Sequence, residues 1–238
     1  MEFYCRWVEG RFVVRDNRFR VTVEVAGRLV PAHLPNSGRL KELLIPGQHV
    51  LLSEHDHPKR RTPYDLSLIE ANGHWVSVDA RLPNDLVEEA LRAGRLAPFG
   101  GYSTVHRESA WGHSRFDFRL EGTGRPPCLI EVKSVTLVVN GLGCFPDAVT
   151  LRGRRHLIEL ARAVKEGHRA AVVFVVQRDD ALGVRPHDES DPHFGLELRK
   201  GLGLGVEVYA YRCRVEPTRI EIDKPLPVCL SPFPSAST

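Results

Sequence analysis

Two acidic residues and a lysine on neighbouring apolar runs form the part of the chain best suited to chemistry. Asp117 lies at the centre of the run 114–120, and Glu131 and Lys133 lie in the run 128–133, which follows a short polar turn. Side chains alternate across a strand, so Glu131 and Lys133 are predicted to project from one face. If the two runs pair as a hairpin, Asp117 approaches Glu131.

This pairing would bring two carboxylates and an ammonium group to one place. Two carboxylates repel each other unless a cation lies between them. A hard divalent ion such as Mg2+ fits, because it prefers oxygen ligands. The other faces of the two runs are apolar and are predicted to pack on the opposite side: Phe116, Phe118, Ile130 and Val132. The alternative is a simple salt bridge between Glu131 and Lys133 on a half-exposed sheet.

The elements around these runs follow the order helix, three strands, helix, strand, helix, strand. Apolar residues at 86, 87, 90 and 91 recur at helical spacing, with Asn84 as the predicted cap and Gly94 as the predicted end. A second helix is predicted over 148–164. It crosses over to the continuously apolar segment 170–177, which is predicted to be a central strand buried on both faces.

That order, with the acidic pair on consecutive strands, resembles the PD-(D/E)XK nuclease core. The resemblance implies that Asp117 and Glu131, helped by the backbone carbonyl of Val132, bind Mg2+ or Mn2+. It also implies that Lys133 orients the attacking water or stabilises the charge that develops. The expected reaction is then metal-assisted hydrolysis of a phosphodiester.

An additional glutamate on the first helix of that core often contacts the metal or its surroundings. Glu89 is the residue assigned to this role, and Glu88 is almost equally suited. Glu108, near the end of the following predicted strand, could also face the site, or it could pair with Arg107 or Arg115.

The helix that follows the acidic site carries three arginines in its first two turns: Arg152, Arg154 and Arg155. Cations at a helix N-terminus oppose the helix dipole, so this placement favours an anion bound at the same end. These arginines and His156 are therefore predicted to contact nucleic-acid phosphate, as is Arg115 of the first acidic run. A solvated basic face is the alternative.

Residues 1–81 contain five or six short predicted strands and no convincing helix. Asn72-Gly73 between two alternating apolar runs is a strong hairpin signal. The predicted fold is a five-stranded OB-like β-barrel, a type that often binds oligonucleotides. The class is α+β: this barrel domain, a PD-(D/E)XK-like domain with a central mixed sheet over 82–230, and a frayed tail over 231–238.

Two loops in the first region are basic. One carries Arg39 and Lys41, and it is either a plain connection or a surface that holds phosphate. The other carries three consecutive cations, for which a solvated loop and a phosphate contact are equally good interpretations: Lys59, Arg60 and Arg61. A zinc site is disfavoured at the neighbouring histidines, since no cysteine or carboxylate completes a set with them: His49, His55 and His57.

Composition excludes several classes of protein. The 238 residues carry a net charge of +3 and a pI near 8.7, which permits a nucleic-acid partner without requiring one. The five cysteines are odd in number and form no Cys-x-x-Cys pair, which is typical of a reduced protein without a zinc ribbon. The start lacks a signal-peptide pattern and no apolar run spans a bilayer, so a cytoplasmic protein without a membrane partner is predicted.

Seven stretches together identify the chain as similar to the sugar fermentation stimulation protein (SfsA) family along nearly its whole length. They are residues 35–39, 83–91, 114–118, 131–137, 145–148, 150–156 and 174–178. Two positions depart from the family pattern: Ser37 stands where threonine is usual, and Leu151 where glutamate is expected. Neither touches Asp117, Glu131 or Lys133.

The resemblance implies an OB-like domain followed by a nuclease-like domain. It further implies DNA binding without strong sequence preference and a role in regulating maltose metabolism. The alternative function is a Mg2+- or Mn2+-dependent nuclease that cleaves DNA or RNA through Asp117, Glu131 and Lys133. The two functions are compatible, because a nuclease must also bind its substrate.

Overall fold

The computed structural model describes residues 1–56 and 60–231, and the first part of the chain forms a barrel. Its first two strands alternate between buried and more exposed side chains, as expected when one face of a sheet covers a core, whereas the fourth and fifth strands have continuous buried runs at 50–53 and 65–69. They are β1 (Trp7–Asn17), β2 (Arg20–Val25), β3 (Arg28–His33), β4 (His49–Glu54), β5 (Tyr64–Ala71) and β6 (His74–Ser77).

The barrel closes because β3 pairs with β5 as well as with β2. The strand order is β3-β2-β1-β4-β5, and the pairs Ala32 with Tyr64 and His33 with Asp65 complete the ring. Strand β6 pairs antiparallel with β5, and a two-residue turn joins them in which Asn72 and Gly73 both have positive φ, 53° and 78°. The predicted five-stranded OB-like barrel is confirmed.

The second part of the chain is a mixed six-stranded sheet with helices on its faces. Its strands are β7 (Thr104–Trp111), β8 (Ser114–Glu121), β9 (Cys128–Val135), β12 (Arg169–Val176), β14 (Glu207–Glu216) and β15 (Arg219–Leu226). Its helices are α1 (Leu82–Arg92), α2 (Leu151–Lys165) and α3 (Pro192–Gly203), with a 3-10 turn at Ala97–Phe99. Short strands β10 (Val138–Val139), β11 (Leu142–Phe145) and β13 (Gly183–Pro186) form a separate small sheet.

The order of the large sheet is β15-β14-β12-β9-β8-β7. Strands β7, β8 and β9 form an antiparallel meander, and α2 then carries the chain to β12, which is parallel to β9. Strand β12 lies at the centre of the sheet and is buried on both faces. This is the predicted PD-(D/E)XK arrangement, and the mixed sheet is confirmed.

Two apolar layers hold the second domain together, one on each face of its sheet. Ile130, Val132 and Phe118 pack in the layer that includes α1, whereas Phe116 packs in the layer that includes α2. The prediction that all four apolar residues share one side is therefore wrong for Phe116. Burial of such side chains stabilises the fold by roughly 1.5–3 kcal/mol each.

Three other features differ from the sequence-based expectations. The small sheet of β10, β11 and β13 was not predicted, because strands of two to four residues give almost no periodic signal. The first residues of the chain contact the second domain rather than the barrel alone: the Met1 amine donates to the Ile220 carbonyl at 3.0 Å. Asn84 does not cap α1, whose cap position is Arg81.

Other expectations concern helix ends and composition. Asp191 caps α3 by accepting from Phe194 N, and Pro192 follows it as the first residue of the helix, an arrangement that an Asp-Pro pair favours. All five cysteines are free thiols. In the two described stretches of the chain, no helix combines the length and apolar character needed to cross a bilayer.

Candidate active site

The site begins where β8 and β9 separate. Their ladder ends at the pair Phe118 and Ile130, so the next backbone N–H of β9 on that side has no strand partner. Asp117 takes the place of the missing strand, because its Oδ2 accepts from Val132 N at 2.7 Å. A carboxylate is thereby fixed at the fork between the two strands.

Asn84 holds the other oxygen of this carboxylate. Its Nδ2 donates to Asp117 Oδ1 at 2.8 Å from the first turn of α1. Both residues are half-buried, so the contact is partly shielded from water. Asn84 is therefore a site residue rather than the helix cap that its position suggested.

Glu131 lies on the other side of the fork, facing α2. Lys133 Nζ donates to Glu131 Oε1 at 2.6 Å, and His156 Nδ1 donates to the same oxygen. The histidine must carry its proton on Nδ1, since an ionised carboxylate can only accept. His156 is 2% exposed, and its ring meets Phe116 edge-on with ring centroids 5.7 Å apart.

The surroundings shift the pKa values of the two carboxyl groups in opposite directions. Burial raises the pKa of Asp117 and the nearby Glu131 raises it further, although the hydrogen bonds from Val132 N and Asn84 act against this. Burial also opposes ionisation of Glu131, but the hydrogen bond from His156 and the charge of Lys133 outweigh it, so its pKa is lowered. Ionisation is therefore easier for Glu131 than for Asp117.

One oxygen of Glu131 is available for a ligand. Oε2 is buried and has no hydrogen-bond partner in the structure, while Oε1 accepts from both Lys133 and His156. A buried carboxylate oxygen without a partner is costly, and a cation would satisfy it. The donor set of Asp117 and Glu131 fits a hard ion such as Mg2+, which is bound through one or two carboxylates and keeps several waters.

The set contains only two carboxylates. Throughout the described ranges, no three residues among the histidines, cysteines, aspartates and glutamates are grouped so that they could hold a metal. A role for the backbone carbonyl of Val132 as a further ligand stays a prediction.

The glutamates considered for the third acidic position are engaged elsewhere. Glu89 is exposed and pairs with the Met1 amine at 3.0 Å and with Arg95 at 2.7 Å, and within the described chain it makes no hydrogen bond or ion pair with Asp117 or Glu131. Glu88 pairs with Arg92 and Arg107, and Glu108 pairs with Arg115. These contacts do not support the choice of Glu89, because Asn84 occupies the position on α1 that reaches Asp117.

The N-terminal arginines of α2 divide into two kinds. Arg154 is held by the fully buried Asp191, with Nη2 2.5 Å from Oδ1, and the same carboxylate caps α3. Arg154 therefore joins α2 to α3 rather than facing a ligand. Arg152 and Arg155 are exposed, and no carboxylate within the described residues pairs with them.

The other basic residues also separate by their partners. Arg60 pairs with the buried Asp65, so its charge compensates a carboxylate inside the barrel. Arg61 is exposed. Arg115 is exposed and pairs with Glu108 at 2.8 Å. Lys59 and His57 lie outside the described residues. His49 contacts Glu70 and Glu9, and His55 contacts Asp65, without forming a metal set.

A cleft of about 290 Å³ lies between the two domains, and Lys133, which contacts Glu131, is on its wall, whereas Asp117 and Glu131 do not line it themselves. Val132, Lys133 and Ser134 line it from β9, while Arg18 and the loop 36–38 line it from the barrel. Arg39 and Lys41 line a second cavity of about 260 Å³, which shares Leu137 and Asp147 with the cleft.

Three residues that matter to this geometry were not predicted: Asn84 as a partner of Asp117, Arg18 on the cleft wall, and Asp147. Asp147 accepts from Arg39 N at 2.5 Å, which ties the basic loop of the barrel to the segment before α2. The stretches that contain Asn84 and Asp147 stood out in sequence, but nothing in them indicated these contacts.

Both parts of the chain match models of known protein families. The model described as the SfsA N-terminal OB domain matches residues 13–78, and the sugar fermentation stimulation protein RE domain matches residues 81–219. A sugar fermentation stimulation protein homolog of Moorella thermoacetica is 45% identical over 231 residues, which cover 97% of this chain and 100% of the relative. The homolog of Syntrophotalea carbinolica is 48% identical over 225 residues, covering 94% and 96%.

A solved structure has the same fold. The chain is similar to Pyrococcus furiosus SfsA, solved in complex with Ca2+, with a TM-score of 0.87 and 28% identity. The likeness covers 96% of this chain and 97% of the Pyrococcus protein, so it includes the barrel and the nuclease-like domain together.

Proposed function

The chain belongs to the sugar fermentation stimulation protein family, and we propose that it binds DNA and hydrolyses phosphodiester bonds of nucleic acid with the help of a divalent metal ion. The observation that carries this proposal is the pair Asp117 and Glu131, with the buried Glu131 Oε2 left without a partner beside Lys133. A protein that only binds phosphate gains nothing from this pair of carboxylates, because they repel the ligand.

Asp117 and Glu131 would hold Mg2+ or Mn2+. The bound ion would polarise the scissile phosphate and lower the pKa of a coordinated water. The similar Pyrococcus furiosus protein was solved in complex with Ca2+, a divalent ion that also takes oxygen ligands, which supports a hard-metal site.

The residues of this chain have separate tasks around that ion. Asn84 and Val132 N fix the two oxygens of Asp117, so this carboxylate cannot rotate away from the fork. Lys133 is bound to Glu131 and lines the cleft, so it can also donate to an anionic phosphate oxygen there. A fixed ammonium group near the developing charge stabilises the transition state without reorganising.

Nucleic-acid binding is supported by the cations that surround the cleft. Arg18 lines the cleft, Arg39 and Lys41 line the second cavity beside it, and Arg152 and Arg155 lie in the first turns of α2. Within the described chain, the charged side-chain groups of these five residues have no carboxylate partner. Phosphate contacts of this kind supply affinity that falls with salt and carries no sequence information. Binding is therefore expected to show little sequence preference.

The proposal is tested with Asp117→Asn, which keeps the shape of the side chain but removes its charge. Purified wild type and variant are incubated with labelled single-stranded, duplex and branched DNA and with RNA, in Mg2+, Mn2+ or EDTA. Wild type should cleave at least one substrate in metal only, and the variant should bind that substrate without cleaving it. Absence of cleavage on every substrate, together with no calorimetric Mn2+ binding to wild type, would contradict the enzymatic part.

A role in sugar metabolism stays a prediction from the family resemblance. DNA binding alone could produce it, since a protein that occupies or cuts DNA alters expression without contacting a saccharide. A change in melting temperature on adding maltose, absent with a non-metabolised disaccharide, would indicate a direct sugar contact instead.

A further inference from the structure

We propose that the cleft between the barrel and the nuclease-like domain receives one strand of nucleic acid, so that the substrate is single-stranded or locally unpaired at the site. This inference rests on the proposed function and adds the form of the substrate. Val132 and Lys133 line the cleft, and these two residues donate hydrogen bonds to Asp117 and Glu131 respectively. A strand lying in the cleft would therefore bring a phosphate beside Lys133, which contacts Glu131 of the carboxylate pair.

The barrel wall of the cleft is rigid. Arg15 donates to several backbone carbonyls of this region, including those of Gly38 at 2.7 Å and Arg18 at 2.7 Å. Asn36 Oδ1 accepts from Gly38 N at 2.8 Å, and its Nδ2 donates to the Val78 carbonyl at 3.0 Å. Because these contacts fix the loop, the wall is formed before any ligand arrives.

The loop is also fastened directly to the second domain. Asp147 Oδ2 accepts from Arg39 N at 2.5 Å, and a Cβ on Gly38 would lie 2.5 Å from the same oxygen. Only glycine allows this close approach. The width of the cleft is therefore set by a contact between residues 108 positions apart rather than by a flexible hinge.

The opposite wall offers polar groups along its length. Lys133 and Ser134 come from β9, and Thr150 caps α2 by accepting from Gly153 N at 3.1 Å. The exposed Arg152 follows in the first turn of that helix. With Arg18 across the cleft, cations flank the path on both sides, as phosphates on a strand require.

The size of the cleft decides between one strand and two. Its volume of about 290 Å³ is close to the lower end of the roughly 300–1,000 Å³ that pockets for small ligands occupy. A group the size of one nucleotide is therefore the largest part of a nucleic acid that it can hold. A duplex, whose major groove alone is about 12 Å wide, is too large for a cavity of this volume. A duplex would have to open or splay before one of its strands entered the cleft beside Lys133.

The test measures equilibrium binding by fluorescence anisotropy in EDTA, so that cleavage plays no part. Labelled single-stranded DNA, single-stranded RNA, blunt duplex and forked duplex of equal length are compared. Ser37→Trp narrows the cleft without changing charge, since Ser37 is exposed on its wall. Arg18→Gln removes one cation and serves as a second variant if the tryptophan perturbs folding. Thermal melts check each protein.

Matched controls lie at the far end of the β2–β3 hairpin. Arg28 and Leu29 are both exposed, and they lie about 16 Å and about 13 Å from the hairpin end near the cleft, at ~3.3 Å per residue. Arg28→Gln and Leu29→Trp repeat the two chemical changes away from the cleft. Within the described chain, Arg28 also has no carboxylate partner.

Single strands and forks should bind wild type at least ~10-fold more tightly than blunt duplex, and Ser37→Trp should weaken single-strand binding by a similar factor. Arg18→Gln should lower the slope of log affinity against log salt by about 0.7. The comparison of single-stranded DNA with single-stranded RNA shows whether the protein prefers deoxyribose or ribose in the strand. Equal binding of blunt duplex, or losses in the control variants that match those in the cleft variants, would overturn the inference. Metal-dependent cleavage of an opened duplex would survive that outcome, so the two proposals fail separately.

Discussion

The contact between His156 and Glu131 is the most informative one to remove. His156 and Lys133 share Glu131 Oε1, and that sharing leaves Oε2 as the free oxygen. His156→Leu keeps a buried apolar side chain beside Phe116 but removes the donor. We expect it to destabilise the fold and to weaken metal binding together.

The magnitude follows from burial. Removing one member of a buried pair typically costs about 3–5 kcal/mol, because the remaining charge loses its compensation. Lys133 still contacts Glu131 in the variant, so we expect the lower end, about 3 kcal/mol. For a chain of this size one kcal/mol corresponds to roughly 2–4 °C in Tm, so Tm should fall by roughly 6–12 °C. The pKa of Glu131 should rise, because the hydrogen bond that lowers it is lost.

A double-mutant cycle with Glu131→Gln separates this contact from general packing loss. If His156 acts through the carboxylate, the double variant should be about 1–2 kcal/mol more stable than the sum of the single effects. His193→Leu is the control, since His193 is an exposed histidine on α3. His156→Gln retains an N–H donor and should recover part of the Mn2+ affinity measured by calorimetry.

Two results would refute this reasoning. One is additivity in the cycle within ~0.3 kcal/mol, which would mean that His156 and Glu131 do not interact in solution. The other is unchanged Mn2+ affinity in His156→Leu, which would mean that Oε2 needs no help from the histidine to face a cation.

Three further predictions concern other residues. Asp117→Asn should raise stability by roughly 1 kcal/mol at neutral pH, because the raised pKa of Asp117 means that its ionised form is disfavoured in the folded state; the gain should shrink as pH falls through that pKa, which urea unfolding at several pH values would detect. Arg154→Met should lower the free energy of unfolding by about 3 kcal/mol, because it leaves Asp191 buried without its cation. The lowered pKa of Asp191 means that wild type loses this stabilisation only as pH falls through the lowered value. The stabilities of the two proteins should therefore converge at low pH. The double variant Arg152→Gln/Arg155→Gln should lower the single-strand salt slope by about 1.4, whereas Lys165→Gln at the other end of α2 should leave it unchanged.

The central site was predictable because strand periodicity determines it. Alternation places Glu131 and Lys133 on one face, and the apolar character of β12 identifies the centre of the sheet. The long-range contacts that shift the pKa values of the site's two carboxyl groups were not predictable. Asn84 has the residue type and position of a helix cap, yet it reaches Asp117 instead, and only the packing of α1 against β9 decides between these roles.

Arginines at a helix N-terminus show the same limit. The dipole argument applies equally to all three in α2, but Arg154 finds Asp191, a partner 37 residues away, while Arg152 and Arg155 find none within the described residues. Likewise the cleft exists only because the barrel loop and the segment before α2 meet at Asp147. Local patterns carry no information about such long-range contacts.

The opposite tuning of the two carboxylates favours a cation rather than a shared proton. In a pair that shares a proton, both groups lie close together with similar surroundings, and each can take the proton in turn. Here Glu131 has two donors on one oxygen, and Asp117 has its two oxygens bound to Asn84 and to Val132 N. All four of these hydrogen bonds are donated to the carboxyl groups, which favours their ionised forms over protonated ones. A divalent ion held by Asp117 and Glu131 would leave all four contacts in place and would offset the repulsion that, in addition to burial, raises the pKa of Asp117.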